Sequence, residues 1–323
     1  MRELERDLPH TGPRETGGEA LPSRADRARI AGGRAGAGMS VMRTASALRQ
    51  ALASARREGL RIALVPTMGS LHEGHLSLLR AAREDCDLVV MSLFVNPAQF
   101  GSEEDLDTYP SDLDRDATLA ADAGVDLLYA PAVDEVYPAG FATAVEVGGE
   151  LTGVLCGDPD RRGPEHFRGV TTIVAKLLNT IQPDVAFFGQ KDAQQAVVIR
   201  RMVRDLDYPT EIEVLPTVRE ADGLALSSRN LRLDAEERRR AGALIRALGA
   251  AKAVADAGEA RTDVALRAAR EELERAGIDP EYLEARDAED LTPAESFNGR
   301  PVLVAVAARV GTARLIDNLV IGG

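Results

Sequence analysis

The sequence predicts an α/β protein, a doubly wound parallel sheet followed by a smaller C-terminal α+β unit. Two observations carry this. Between residues 44 and 215, short apolar runs alternate with amphipathic segments, and most of the runs are apolar throughout, as strands buried on both faces are. After Pro216 the alternation stops, and long Ala/Arg/Glu-rich helical patterns lead into further strands.

Residues 1–40 stand apart. They are rich in Gly and Arg, poor in large apolar side chains, and lack the apolar segment of a secretory signal. Such a stretch buries too little surface to offset its ordering entropy, so a disordered extension without a functional role is expected. Thr44–Glu58 then spaces Leu and Ala as an amphipathic helix. Ile62–Val65 reads as a strand, Gly74–Glu84 as a helix, Leu88–Val95 as a strand, Ser111–Ala123 as a helix and Asp126–Tyr129 as a short strand. Val170, Ile173, Val174, Leu177, Leu178 and Ile181 recur at helical spacing. Val185–Phe188 and Glu211–Leu215 are strands flanking a helix at Ala193–Leu206. Residues 41–217 therefore form one Rossmann-like domain. Residues 218–323 form a second, with helices at Asp234–Ala257 and Thr262–Ala276 and strands at Tyr282–Arg286, Val302–Val310 and Ala313–Ile316.

Composition narrows the function. The 323 residues are 45% hydrophobic, enough for two cores. A net charge of −13 argues against a general nucleic-acid binder, and an aromatic content of 4% without Trp argues against a base-stacking platform. Two cysteines without metal-ligand spacing suit a reducing cytosol, and no apolar run approaches the roughly 20 residues a membrane span needs.

Four segments follow strand ends, where open parallel sheets bind ligands. In the first, His72-Glu73-Gly74-His75 opens a helix after a Gly-containing turn, and unpaired N–H groups and the helix dipole favour phosphate there. Zinc is the rival, but the chain has only two other histidines, His10 and His166, and no Cys cluster. In the second, Gly189-Gln190-Lys191-Asp192, Gly189 allows close backbone approach and Lys191 supplies positive charge; an ordinary strand-to-helix turn also fits. The third, Leu226-Ser227-Ser228-Arg229-Asn230, reads as a phosphate clamp or as a polar linker. The fourth, Phe94–Gly101, offers Asn96 and Gln99 as neutral amides, and Gln195 lies one helical turn beyond Lys191. Neither a P-loop nor a G-x-G-x-x-G fingerprint is present, and no G-x-S-x-G elbow occurs.

Taken together, these segments resemble the pantothenate synthetase (pantoate–β-alanine ligase) family of the nucleotidyltransferase superfamily. The likeness runs from about Thr44 to Asn318 and rests on Pro66–His75, Phe94–Gly101, Phe188–Asp192 and Pro216–Asn230. The resemblance implies a cytoplasmic, homodimeric ligase that condenses (R)-pantoate with β-alanine through a pantoyl adenylate, using ATP with Mg²⁺ and releasing AMP and pyrophosphate. It implies that Met68, Gly69, Ser70, Leu71, His72, Glu73, Gly74 and His75 contact ATP, with His75 as proton donor. It also implies ATP contacts from Gly189, Gln190, Lys191, Asp192, Val218, Leu226, Ser227, Ser228 and Arg229, and catalytic duty for His72, His75, Lys191 and Arg229. Gln99, Gln195 and Met68 would bind pantoate. The metal ligands stay open, with Asp114 and Asp116 as candidates. Leu226 stands where many relatives carry Met, and residues 1–40 have no counterpart. One rival is a nucleotidyltransferase acting on a phosphorylated acceptor, against which the neutral Gln99 and Gln195 argue. Another is a nucleotide-binding regulatory module, against which the complete His72, His75, Lys191 and Arg229 set argues.

Overall fold

The computed structural model of the chain describes residues 38–322 except 101–105, 107–108 and 110. Most of the expected disordered head therefore lies outside the described residues. Six parallel strands form the larger sheet: β1 (Ser40–Met42), β2 (Ile62–Thr67), β3 (Leu88–Leu93), β4 (Leu127–Tyr129), β5 (Val185–Gly189) and β6 (Glu211–Leu215). Their order is β1-β4-β3-β2-β5-β6, every pairing parallel. The chain steps from β2 to β3 in one direction and from β5 to β6 in the other, so the order reverses between the neighbours β2 and β5. That reversal opens a crevice at the strands' carboxyl ends.

Alternation along β2 divides the core. Ile62 and Leu64 face Leu48 and Leu52 of α1 (Ala45–Arg57) and Leu178 and Ile181 of α5 (Pro164–Ile181). Ala63 and Val65 face the other way, with Leu79 of α2 (Glu73–Asp85), Ala120 of α3 (Leu113–Asp122) and Met91 of β3. A one-turn helix α4 (Val133–Val136) precedes α5, and α6 (Ala193–Asp205) joins β5 to β6.

The C-terminal unit contains α7 (Ala235–Ala241), α8 (Ala243–Asp256) and α9 (Thr262–Arg275) over an antiparallel sheet, β7 (Pro280–Asp287), β8 (Val302–Val310) and β9 (Ala313–Ile321). Leu244, Leu248 and Leu273 pack on Val304 and Val306. The opposite face of this sheet joins the rest of the protein, because Tyr282, Leu303 and Ala305 share a cluster with Phe167, Val197 and Val198 of α5 and α6.

Three expectations are corrected. Ser40–Met42 forms an edge strand that lacks a telling apolar run. The helix expected over Asp234–Ala257 is two helices joined at Gly242, whose ψ of −13° departs from helical geometry. The last strand runs on to Ile321, held by nine register pairs to β8.

Candidate active site

At the carboxyl end of β2 the chain turns through Gly69 (φ 89°) and Ser70 (φ 53°), both in the left-handed region that Gly adopts freely and other residues at a cost. Asp116 of α3, with 0% exposure, holds this turn. Its Oδ2 accepts from Ser70 N–H at 2.6 Å and its Oδ1 from Leu71 N–H at 2.8 Å. Arg115 bridges the same pair, donating to Asp116 Oδ1 at 3.3 Å and to Leu71 O at 3.1 Å. The turn delivers His72 to the N-cap of α2 and His75 to its third position. A Cβ on Gly74 would sit 3.0 Å from the His72 ring, so glycine there lets that ring fold over the helix start.

The two imidazoles lie 4.1 Å apart between centroids. His75 Nδ1 accepts from His72 N–H at 3.4 Å, which leaves the proton of the neutral ring on Nε2. Burial lowers His72 to about 4, with Lys191 adding to the effect. Burial lowers His75 to about 3, helped by His72 and Lys191. Both rings are therefore neutral donors near pH 7.

Lys191 comes from the turn after β5. Asn318 of β9 fastens that turn, donating from Nδ2 to Gln190 O and Lys191 O at 3.0 Å each and accepting from Gln190 Nε2 at 3.0 Å. The half-buried lysine is held below its ordinary value, first by desolvation and then by Arg229 and Arg162 against the opposing pull of Asp192 and Asp317. The third segment is folded back by Leu226 N–H to Val218 O at 3.0 Å, and Ser227 Oγ accepts from Arg229 N–H at 3.3 Å. Buried Asn230 fixes the loop by donating to Glu220 and to Ala225 O. A bidentate pair from Arg219 to the buried Asp317, at 2.7 and 3.0 Å, ties the start of the segment to β9.

The fourth segment is the turn Pro97–Gln99. Asn96 donates to Gln99 Oε1 at 3.0 Å and to Gly169 O at 3.1 Å, and it accepts from Tyr137 Oη at 2.7 Å. Gln99 Nε2 lies 2.9 Å from Met68 Sδ.

These segments converge on one cavity of about 290 Å³. Met68, His72, Gly74, His75, Gln99, Gly189, Lys191, Asp192, Gln195, Val218, Leu226, Ser227, Ser228 and Arg229 all line it. Among the described residues three buried side-chain polar atoms lack a partner, His72 Nδ1, Thr217 Oγ1 and Asn230 Oδ1, and all three residues line this cavity. Unsatisfied buried polar atoms cost stability, so their concentration in one place marks a site shaped for a polar ligand. A second cavity of about 850 Å³ adjoins the first and shares Met68, Gln99, Arg162, His166 and Arg229 with it.

Other expected residues stand outside the lining. Gly69, Ser70 and Leu71 form the turn behind the site. Glu73 pairs with Arg80 on the surface, and Gln190 faces Asn318. Asp116 is occupied by two backbone N–H groups and Asp114 is exposed on α3, and neither lines the cavity. Among the described residues no three His, Cys, Asp or Glu side chains group as a metal site. Sequence reasoning passed over Asp116 as a clamp, and it also missed Asn318, Thr217, Arg162 and His166. The last carried a signal: it is the third described histidine and lies in the first turn of a helix whose apolar residues recur at helical spacing.

The comparisons agree with this architecture. The family model for pantoate–β-alanine ligase matches residues 40–320. A pantothenate synthetase of Moorella thermoacetica is 57% identical over 286 residues, covering 88% of this chain and 99% of that protein. The crystal structure of pantothenate synthetase from Thermus thermophilus superposes with a TM-score of 0.82 at 48% identity, over 88% of this chain and 100% of that one. The pantoate–β-alanine ligase of Francisella tularensis, solved in complex with β-γ ATP and β-alanine, gives a TM-score of 0.72 at 31% identity over 87% and 97%. The chain belongs to the pantoate–β-alanine ligase family.

Proposed function

We propose that this cleft carries out the family reaction, ATP-dependent condensation of pantoate with β-alanine, in two steps that share one cavity. A free carboxylate lacks a good leaving group. Attack of the pantoate carboxylate on the α-phosphorus of ATP supplies one and releases pyrophosphate. The amine of β-alanine then attacks the acyl carbon and AMP departs. No enzyme nucleophile is needed, so the protein's task is positioning and charge stabilisation.

The observation that carries this reading is the convergence of His72, His75, Lys191 and the Ser227–Arg229 clamp on one cavity at the sheet's order reversal. In it, His75 Nε2–H donates to the α-phosphate as negative charge builds there, with His72 beside it, and Lys191 and Arg229 hold the β- and γ-phosphates. Gly189, Asp192 and Val218 flank the adenosine, and Leu226 walls it. Gln99 and Gln195 bind the hydroxyls and carboxylate of pantoate, with Met68 packed over it. Residues 218–323 serve as a lid domain that brings Arg229 to the phosphates. Mg²⁺ belongs to the nucleotide, because this ion keeps phosphate and water ligands and the described residues offer no cluster of their own. A homodimeric, cytoplasmic enzyme completes the proposal; no described helix is long and apolar enough to cross a membrane.

Pantoate-dependent exchange of pyrophosphate into ATP, measured without β-alanine, tests the first step. Lys191→Ala and His75→Ala are each expected to lower it by about 10²–10³-fold, the scale of a lost transition-state donor. Exchange in the wild-type protein that ignored pantoate would refute the reading.

A further inference from the structure

Strand β9 reaches both halves of the candidate triphosphate grip. It packs against the turn that carries Lys191 and against the turn that carries Ser228 and Arg229. Successive strand residues point to opposite faces. On β9, Leu315 joins the core of the C-terminal unit, while Ile316 packs on the cluster shared with α5 and α6. Asp317 and Asn318 continue that alternation, and both are buried. A carboxylate and an amide enclosed side by side on a mostly apolar strand are costly unless their partners are exact.

Asn318 commits its whole amide to one turn. Its Nδ2 donates to Gln190 O and Lys191 O at 3.0 Å each, and its Oδ1 accepts from Gln190 Nε2 at 3.0 Å. The flipped amide would set oxygen against both carbonyls, so these partners fix which end is which. The Asn318 N–H donates to Asp317 Oδ1 at 2.8 Å, and the same carboxylate takes both terminal nitrogens of Arg219. Arg219 also donates to Gly223 O at 3.1 Å, which closes the hairpin Arg219–Ala225 that leads into the clamp.

Lys191 needs such a hold. Its ammonium ends a flexible four-carbon stem. Among the described residues it makes no hydrogen bond or ion pair, so its main chain is what aims it. Lys191 and Arg229 also belong to different units of the chain. A continuous polar route joins those units, from Lys191 O through Asn318 and Asp317 to Arg219.

We propose that Asn318 is a positioning residue for the first half-reaction, acting through the main chain of Lys191 from a strand of the other unit. The inference rests on the two-step reading above and adds to it a way for residues 218–323 to act on adenylation. In that step a carboxylate oxygen of pantoate bonds to the α-phosphorus. The bond to the bridging oxygen breaks, and its electron pair leaves on pyrophosphate. Lys191 and Arg229 neutralise the charge gathered there. Because β9 holds the lysine turn and the clamp hairpin together, closure that seats Arg229 seats Lys191 with it.

A double-mutant cycle tests the assignment. Asn318→Ala is expected to lower the kcat of pantoate-dependent pyrophosphate exchange by about 10–100-fold, the scale of a misplacement near 1 Å, and to move the KM for ATP far less. In a Lys191→Ala background the same substitution is expected to change the remaining exchange by no more than about twofold, because residues that act through one another are not additive. A merely structural role would cost the same factor in both backgrounds, and that result overturns the assignment. So would wild-type exchange in Asn318→Ala, or a loss confined to the KM for ATP. Asn318→Ser keeps one donor and is expected to fall between wild type and Asn318→Ala. If Asn318→Ala does not fold, the cycle run with Asn318→Ser decides, and equal losses with and without Lys191 refute the role. Absence of pantoate-dependent exchange in the wild type would refute the two-step reading and this inference with it, whereas exchange that is present but indifferent to Asn318 refutes the inference alone.

Discussion

Asp116 never meets the cavity, yet it sets where His72 and His75 stand. Its two carboxylate oxygens are matched by two backbone N–H groups of a turn that runs through the left-handed region at Gly69 and Ser70. The arrangement is tight, since a Cβ on Gly69 would lie 3.0 Å from Asp116 Oδ2. Asp116→Asn keeps the shape but turns an N–H₂ group on at least one backbone N–H. That exchanges a charge-assisted bond for a buried clash, a loss of about 1–3 kcal/mol. The turn is then free to relax, and a misplacement near 1 Å is enough to cost about 10²-fold in a reaction that depends on alignment. Pyrophosphate exchange in Asp116→Asn should therefore fall by ten-fold or more, with a lower melting temperature. Wild-type exchange would show that the turn holds its shape without the clamp.

Between elements, α5 approaches the turn Pro97–Gln99 closely beside the site. Glycine inside a helix costs about 1 kcal/mol relative to alanine, and Gly169 is there because nothing larger fits. A Cβ at that position would lie 2.2 Å from Ala98 O and 2.7 Å from Gln99 N, both backbone atoms. Gly169→Ala must push the turn off the helix and strain the Asn96–Gly169 bond. The expected result is destabilisation of about 1–3 kcal/mol and a raised KM for pantoate through displaced Gln99, while the KM for ATP moves little. Equal rises in both would place Gln99 outside the pantoate pocket. What could be read from the sequence follows the same division. The strands Leu88–Leu93 and Val185–Gly189 announce themselves as apolar runs, and His72–His75, Lys191 and Ser227–Arg229 as short motifs. Asp116 and Asn318 do not, because they act on backbone 46 and 128 residues away in the chain. No local pattern encodes such partners. The edge strand Ser40–Met42 escaped for the opposite reason, being too short to show a period.

Across the described residues, every histidine lines the site. The chain has four, His10 falls outside the described residues, and His72, His75 and His166 all line the same cavity. All three are lowered by burial, to about 4, 3 and 4, whereas an unfolded chain binds protons at about 6.5. Their neutral burial is therefore fully compatible with folding above pH 6.5. As pH falls from there toward 4 the unfolded state takes up protons that the folded state refuses, and stability is lost. Carboxylates of ordinary pKa are half-protonated near about 4.3 and hold few protons above about 5.5, so the window from about 6.5 to about 5.5 reports chiefly on these histidines. The melting temperature should drop steadily across it, and the slope should flatten in the double variant His75→Gln/His166→Gln. ATP should reverse part of the loss, because a triphosphate beside His72 and His75 favours their charged forms. Nucleotide binding should therefore take up protons at pH 5.5 and raise the melting temperature more at that pH than at 7.5. Calorimetry in buffers of different ionisation enthalpy measures that uptake. Proton release on binding would mean that the imidazoles do not face the phosphates.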